Sequence, residues 1–180
     1  MTNDRYEIRL SGSGGQGLIL AGIILAEAAA IYEGKEAVQT QSYGPESRGG
    51  ASKSEVVISG SEIDYPKVTS PDLLLAMTQE SCTKYLGDLK EGGIAILDSF
   101  FVEKWPDNAN VIALPLTTIA KEVTGKTIVA NIVAVGAIVA LSGIVSKESI
   151  EKAVLARVPK GTEEMNLKAL QAGFEAVANH

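Results

Sequence analysis

Four of the six residues from Gly12 to Gly17 are glycine, and an ordered-looking apolar segment stands on each side of them. Upstream, Tyr6-Glu7-Ile8-Arg9-Leu10 alternates apolar and charged side chains, the period of a strand. Downstream, Leu18 to Tyr32 carries a single charge, Glu27, and runs out before Gly34, a residue suited to a left-handed helix cap. A helix apolar on nearly every face has to be buried on several sides. Lys35 to Thr40 then reads as a second strand. Strand, glycine turn, buried helix and strand form the opening unit of an α/β domain.

The rest of the chain extends the pattern. After a loop from Gln41 to Gly50, Ser54 to Ser59 and Glu62 to Tyr65 read as two strands joined through Ser59-Gly60-Ser61, a hairpin signal. Asp72 to Met77 and Ile94 to Leu97 are short apolar runs suited to a sheet covered on both faces. A helix over Ser81 to Leu89 and a turn at Gly92-Gly93 separate them. Val111 to Leu114 is a strand closed by Pro115, and Thr118 to Val123 a short helix. Thr127 to Val145 has no charge over its whole length, long enough to raise the question of a membrane span. Asn131, Gly136, Ser142 and Gly143 interrupt it and no basic cluster flanks it, which favours a helix buried in a core or a subunit interface. Ser146 is suited to cap a helix through Arg157. A last helix follows Thr162, with Leu167, Leu170, Phe174 and Val177 on one face. These elements predict one three-layer α/β/α domain over residues 1–180, with a mixed, mostly parallel sheet.

Composition narrows the chemistry. Sixteen Lys plus Arg against 22 Asp plus Glu give a net charge of −6, a poor match for a nucleic-acid binder. There is one cysteine, Cys82, so an internal disulfide is impossible and an iron–sulfur cluster lacks ligands. Without a histidine to activate it, Cys82 is expected to be a small, partly buried residue rather than a nucleophile. The one histidine, His180, is the final residue of the sequence, which excludes a His-based triad within the fold. The first residues carry no apolar signal core, so a cytoplasmic protein is expected.

Gly12-x-Gly14-x-x-Gly17 fits the dinucleotide fingerprint in spacing and context. The acid that should close the second strand is missing, because that strand ends in Gln39-Thr40-Gln41. Three readings stay open: NAD or FAD binding, another anion-binding turn, and a purely structural turn. In the loop Tyr43-Gly44-Pro45-Glu46-Ser47-Arg48-Gly49-Gly50, Pro45 stiffens the chain. Arg48 could hold a carboxylate or phosphate bidentately, or simply pair with Glu46 at the surface. Asn131, an amide inside an apolar helix, either pins a loop or touches a ligand. Asp98-Ser99 follows a strand, where ligand contacts often occur.

Together these residues resemble the gamma subunit of the 2-oxoacid:ferredoxin oxidoreductases, the pyruvate/ketoisovalerate-type gamma domain. The resemblance rests on Gly12-Ser13-Gly14-Gly15-Gln16-Gly17 and Tyr43-Gly44-Pro45-Glu46-Ser47-Arg48-Gly49-Gly50. It continues through Ala130-Asn131-Ile132-Val133-Ala134-Val135-Gly136-Ala137 and Asn166-Leu167-Lys168-Ala169, followed by Gly173. It implies an assembly that decarboxylates a 2-oxoacid on thiamine diphosphate, passes electrons through [4Fe-4S] clusters to ferredoxin, and transfers the acyl group to coenzyme A. In such assemblies the cofactors are expected on alpha, beta and ferredoxin-like delta chains. This chain would then be inactive alone, carry no catalytic or metal-binding side chain, and help enclose the coenzyme A side of the active site. The residues expected there are Gly14, Gly15, Gln16, Gly17, Tyr43, Gly44, Pro45, Glu46, Arg48, Gly49, Gly50 and Asn131. Leu18–Tyr32 and Thr127–Val145 are the expected packing faces toward partners, and the isolated chain could pair with itself. The short separate chain with this opening points toward 2-oxoglutarate among the family's substrates, which include pyruvate and branched-chain oxoacids. The rival readings are an NAD-dependent oxidoreductase subunit and a non-catalytic scaffold.

Overall fold

The computed structural model describes residues 4–42 and 51–180. Six strands form one sheet: β1 (Tyr6–Gly12), β2 (Glu36–Gln41), β3 (Ser52–Ser59), β4 (Leu73–Ala76), β5 (Ile94–Asp98) and β6 (Val111–Leu114). Their order is β2-β3-β1-β4-β5-β6. β1, β4, β5 and β6 run parallel, while β3 is antiparallel to both β1 and β2. The six helices are α1 (Leu18–Glu33), α2 (Gln79–Tyr85), α3 (Leu116–Thr124), α4 (Ala130–Ser142), α5 (Lys147–Arg157) and α6 (Glu163–Ala178). The expected three-layer arrangement is present, with layers of very unequal thickness. Ile8, Leu10, Val56, Ile58, Leu73, Leu75 and Ile96 point into a large core shared with α1 and α3 to α6. Leu74, Ala76, Ala95 and Leu97 point the other way, toward Cys82 and Tyr85 of α2. Both faces of β4 are therefore apolar, as its unbroken hydrophobic run requires.

Three expectations are corrected. Glu62–Tyr65 is not a strand. Both edges of β3 are already taken, by β1 and β2, so no edge is left for a hairpin partner. The segment is instead tied by the Asp4 carboxylate, which accepts from the Ser59 and Ser61 hydroxyls, and by Arg5, which donates to the Tyr65 and Lys67 carbonyls. Thr127–Val145 is not one helix. A 3-10 turn over Thr127–Val129 precedes α4, and Gly143, at φ +61, ends it. Ten of the thirteen α4 residues are buried, against α1, α3, α6 and the sheet. α4 is thus core over most of its length, while Ile128 just before it stays exposed. The C-terminal helix also turns differently from its predicted stripe. Its buried face is Asn166, Ala169, Leu170, Ala172 and Gly173, with Phe174, Val177 and Leu167 only partly buried.

That choice follows from α4. Gly136 and Gly173 face each other where α4 crosses α6. A Cβ on Gly173 would collide with the Val133 carbonyl, and one on Gly136 with the Leu170 carbonyl. Bare backbones let the two helices close to a distance no larger residue permits. Other boundaries shift by a residue or two; α3 starts at Leu116 rather than Thr118. Ser146 caps α5 as expected, accepting the Ser149 N–H at 3.0 Å.

The second face of the sheet carries a buried ion cluster. Arg9 on β1 donates to Glu55 of β3 at 2.7 Å and to Asp88 at 2.7 Å, and its guanidinium lies 5.2 Å from the centroid of the Tyr85 ring. Arg9 and Glu55 are nearly enclosed, with side chains 5% and 11% exposed, whereas Asp88 is 51% exposed.

Candidate functional site at the carboxyl edge of the sheet

The carboxyl ends of β1, β4, β5 and β6 share one edge, and the glycine turn sits on it. Gly15 and Gly17 both lie at positive φ, +90 and +75, which only glycine adopts without strain. Gly17 occupies the N-cap of α1, and no side chain caps that helix. Two side chains close the turn. Gln16 folds back so that its Oε1 accepts the Ser13 N–H at 2.8 Å, while its Nε2 donates to the Met77 carbonyl at 3.2 Å, just beyond β4. Asn131, from the first turn of α4, donates to the Gly17 carbonyl at 3.1 Å. Asn131 thus pins the turn, and it also lines a cavity beside it. A Cβ on Gly12 would strike the Gln16 amide, and one on Gly17 the Asn131 amide. The glycine spacing serves the folding-in of these two amides.

This geometry bears on the dinucleotide reading. In an open α/β sheet the ligand crevice lies where neighbouring strands send their connections opposite ways. Here that point falls between β1 and β4, and Gln16 bridges it. β2 has no terminal acid, ending in Gln39-Thr40-Gln41.

The second glycine loop lies outside the described residues, including Tyr43, Gly44, Pro45, Glu46, Arg48, Gly49 and Gly50. Its two ends are placed. Gly12 pairs with Ser52, and Gln41 with Ser54, so the chain leaves β2 and enters β3 at the same edge as the glycine turn.

Two cavities open beside the turn, separated by Ile128, which is 72% exposed. One, of 260 Å³, is lined by Gly15, Gln16, Met77, Phe101, Thr117, Thr127, Ile128 and Ala130. The other, of 340 Å³, runs between α1, α4 and α6 along Gly15, Gly17, Leu20, Ile132, Val158, Met165 and Asn166. Sequence reasoning missed Met77, Phe101, Thr117, Ile128 and Met165, which carry no motif; position just after a strand or before a helix was the only signal. Asp98 is fully buried and turned inward rather than toward a ligand. It accepts from the Thr117 hydroxyl at 2.6 Å and the Phe100 N–H at 3.1 Å, fixing the rim on which Phe101 stands. Among the described residues no three His, Cys, Asp or Glu side chains gather into a metal site. Cys82 lies on the buried face of α2, and burial pushes its thiol above the usual range.

A mixed α/β sheet with an amide-closed glycine turn at its carboxyl edge, matched along residues 7–176, defines the class: the chain belongs to the pyruvate ferredoxin/flavodoxin oxidoreductase family, as a gamma-type chain. It is 58% identical to the 2-oxoglutarate synthase subunit KorC of Methanocaldococcus jannaschii, over 95% of this chain and 93% of that one. The gamma subunit of the keto/oxoacid ferredoxin oxidoreductase from Geobacter sulfurreducens superimposes with a TM-score of 0.89 at 59% identity, covering 97% of each chain. A 2-oxoglutarate:ferredoxin oxidoreductase from Magnetococcus marinus shares the fold at 23% identity and a TM-score of 0.83. This chain covers 32% of that longer one and is itself covered over 98%.

Proposed function

We propose that this chain is the gamma subunit of a 2-oxoglutarate:ferredoxin oxidoreductase and walls the coenzyme A side of its active site. The substrate follows the relatives: chains named as 2-oxoglutarate synthase subunits are 58% and 52% identical over nearly the full length, against 33% for a pyruvate synthase subunit. Thiamine diphosphate and the [4Fe-4S] clusters belong on companion alpha, beta and delta chains. A cluster needs about four cysteines, and this chain has one, which is buried. The reaction is oxidative decarboxylation of the 2-oxoacid to its acyl-coenzyme A and carbon dioxide, with the electrons leaving to ferredoxin in the cytoplasm.

The observation that carries the coenzyme A role is that the glycine turn and the strand ends flanking the second glycine loop share one sheet edge, beside an apolar cavity of 340 Å³ flanked by amides. Such a cavity suits a thin acyl-carrier arm, and Arg48 supplies a cation for its phosphates. The test is anaerobic co-purification with the native companion chains, followed by oxoacid- and coenzyme A-dependent dye reduction. Fastest turnover with 2-oxoglutarate, and Arg48→Ala raising the coenzyme A KM about tenfold or more, is the expected result. Preference for pyruvate overturns the substrate, and an unchanged coenzyme A KM overturns the Arg48 contact.

A further inference from the structure

We propose that two copies of this chain pair through β2 and the outer face of α1, continuing the sheet across a two-fold axis. β2 is the terminal strand of the sheet. Natural edges are usually blunted by proline, bulges or inward charge. β2 has none of these, and Glu36 is its one charged residue.

The helix beside it is open on the same flank. At about 100° per residue, Ile19, Ile23, Ala26 and Ala30 fall within roughly 60° of arc. Ile19 and Ala30 are exposed, Ile23 and Ala26 partly so. Gly22, on one side of this stripe, lies against Ser54 and Gln39 of the sheet, while Glu27, on the other, meets Arg157 of α5 at 2.9 Å. The opposite side of the helix, Ala21, Ile24 and Ala28, is fully buried in the main core. The stripe therefore looks past β2 and away from the body of the sheet.

An occupant has to supply both a strand and an apolar helix at the spacing of this same pair of elements. A second copy supplies them by symmetry. Antiparallel pairing of β2 with its copy about Val38 sets Glu36 opposite Thr40 and keeps both α1 helices on one face, so no like charges meet. Ala26 and Ala30 let the two α1 helices approach closely. The face is one helix long, about 24 Å, and two layers deep, on the order of 500 Å² per copy, a size that supports a weak dimer.

The experiment is sedimentation of the full chain across concentration, with hydrogen exchange over residues 36–41. A dimer with a Kd in the micromolar range is expected, with residues 36–41 gaining protection as concentration rises. Ala30→Arg should weaken it at least tenfold, whereas Ile31→Lys, at a residue 65% exposed but off the stripe, should not. A monomer at about 100 μM, above the Kd such an area supports, overturns the proposal. So does protection of residues 36–41 that appears only when companion chains are added. Since neither readout involves substrate, a failure here is separate from a failure of the 2-oxoglutarate assignment.

Discussion

The side-chain amide of Asn131 donates to the carbonyl of Gly17 at 3.1 Å, joining the start of α4 to the N-cap of α1 across 114 residues of sequence. The same carbonyl accepts the Ala21 N–H at 3.1 Å, the first bond of α1. One buried donor thus holds the glycine turn against the helix that backs it.

Asn131→Ala should lower stability by about 1–2 kcal/mol, the usual consequence of removing one buried partner. Asn131→Asp should be worse at neutral pH, because a carboxylate would face a carbonyl. Urea unfolding measures the loss, and hydrogen exchange should show residues 13–18 opening more readily in both variants.

Gly173→Ala should destabilise by about 3 kcal/mol or more, since the added methyl meets backbone that cannot move aside without separating α4 from α6. Gly161→Ala is the contrast. That residue sits at φ +95 with open space around it, so its penalty is conformational alone and should stay near 1 kcal/mol. Thermal unfolding of the two variants separates a packing collision from backbone strain.

Arg9→Met should cost about 3 kcal/mol, because Glu55 would be left nearly buried with only Lys53, 3.6 Å away and itself partly exposed, as its cation. The double variant Arg9→Met/Glu55→Leu should regain most of that loss, since removing both charges also removes the need to desolvate them. Asp88→Asn should do little, its carboxylate being half exposed. A double-mutant cycle in urea measures each value.

Glu33 links the end of α1 to the start of α5. Burial alone would push its carboxyl up, but the Ser146 N–H, the Ser149 hydroxyl and Lys35 together hold it below the ordinary value. A depressed carboxyl contributes stability that is present above its unfolded pKa and lost as pH falls through the lower, folded one. Wild type should therefore exceed Glu33→Gln in stability at pH 7, and the gap should shrink as the solution is acidified below about pH 4.5. Paired unfolding curves across that window check the sign.

Local signals were enough for the strand–turn–helix opening with its glycine turn, the Gly34 and Ser146 caps, and the apolar strands. The failures were nonlocal. Glu62–Tyr65 had strand-like residues, but β3 had no free edge to offer it. The Leu167–Val177 stripe was the more hydrophobic face of the last helix, yet the closer approach available at Gly136 and Gly173 decided which face turned inward. Asn131 was visible as an oddity in an apolar helix, while its partner, a backbone carbonyl more than a hundred positions away, carried no side-chain signature at all.

By itself the sequence determined the class of fold, the family, and the limits on chemistry, since one cysteine and one terminal histidine cannot be rearranged into more. Those conclusions rest on residue type and short spacing, which are fixed before the chain folds. Tertiary structure alone decided that Gln16 spans the gap between β1 and β4, that α4 is buried against α1, α3 and α6, and that α1 keeps an apolar flank beside an edge strand. Each of these depends on which surfaces meet first and leave no room for a third, a competition among distant segments that no local pattern records.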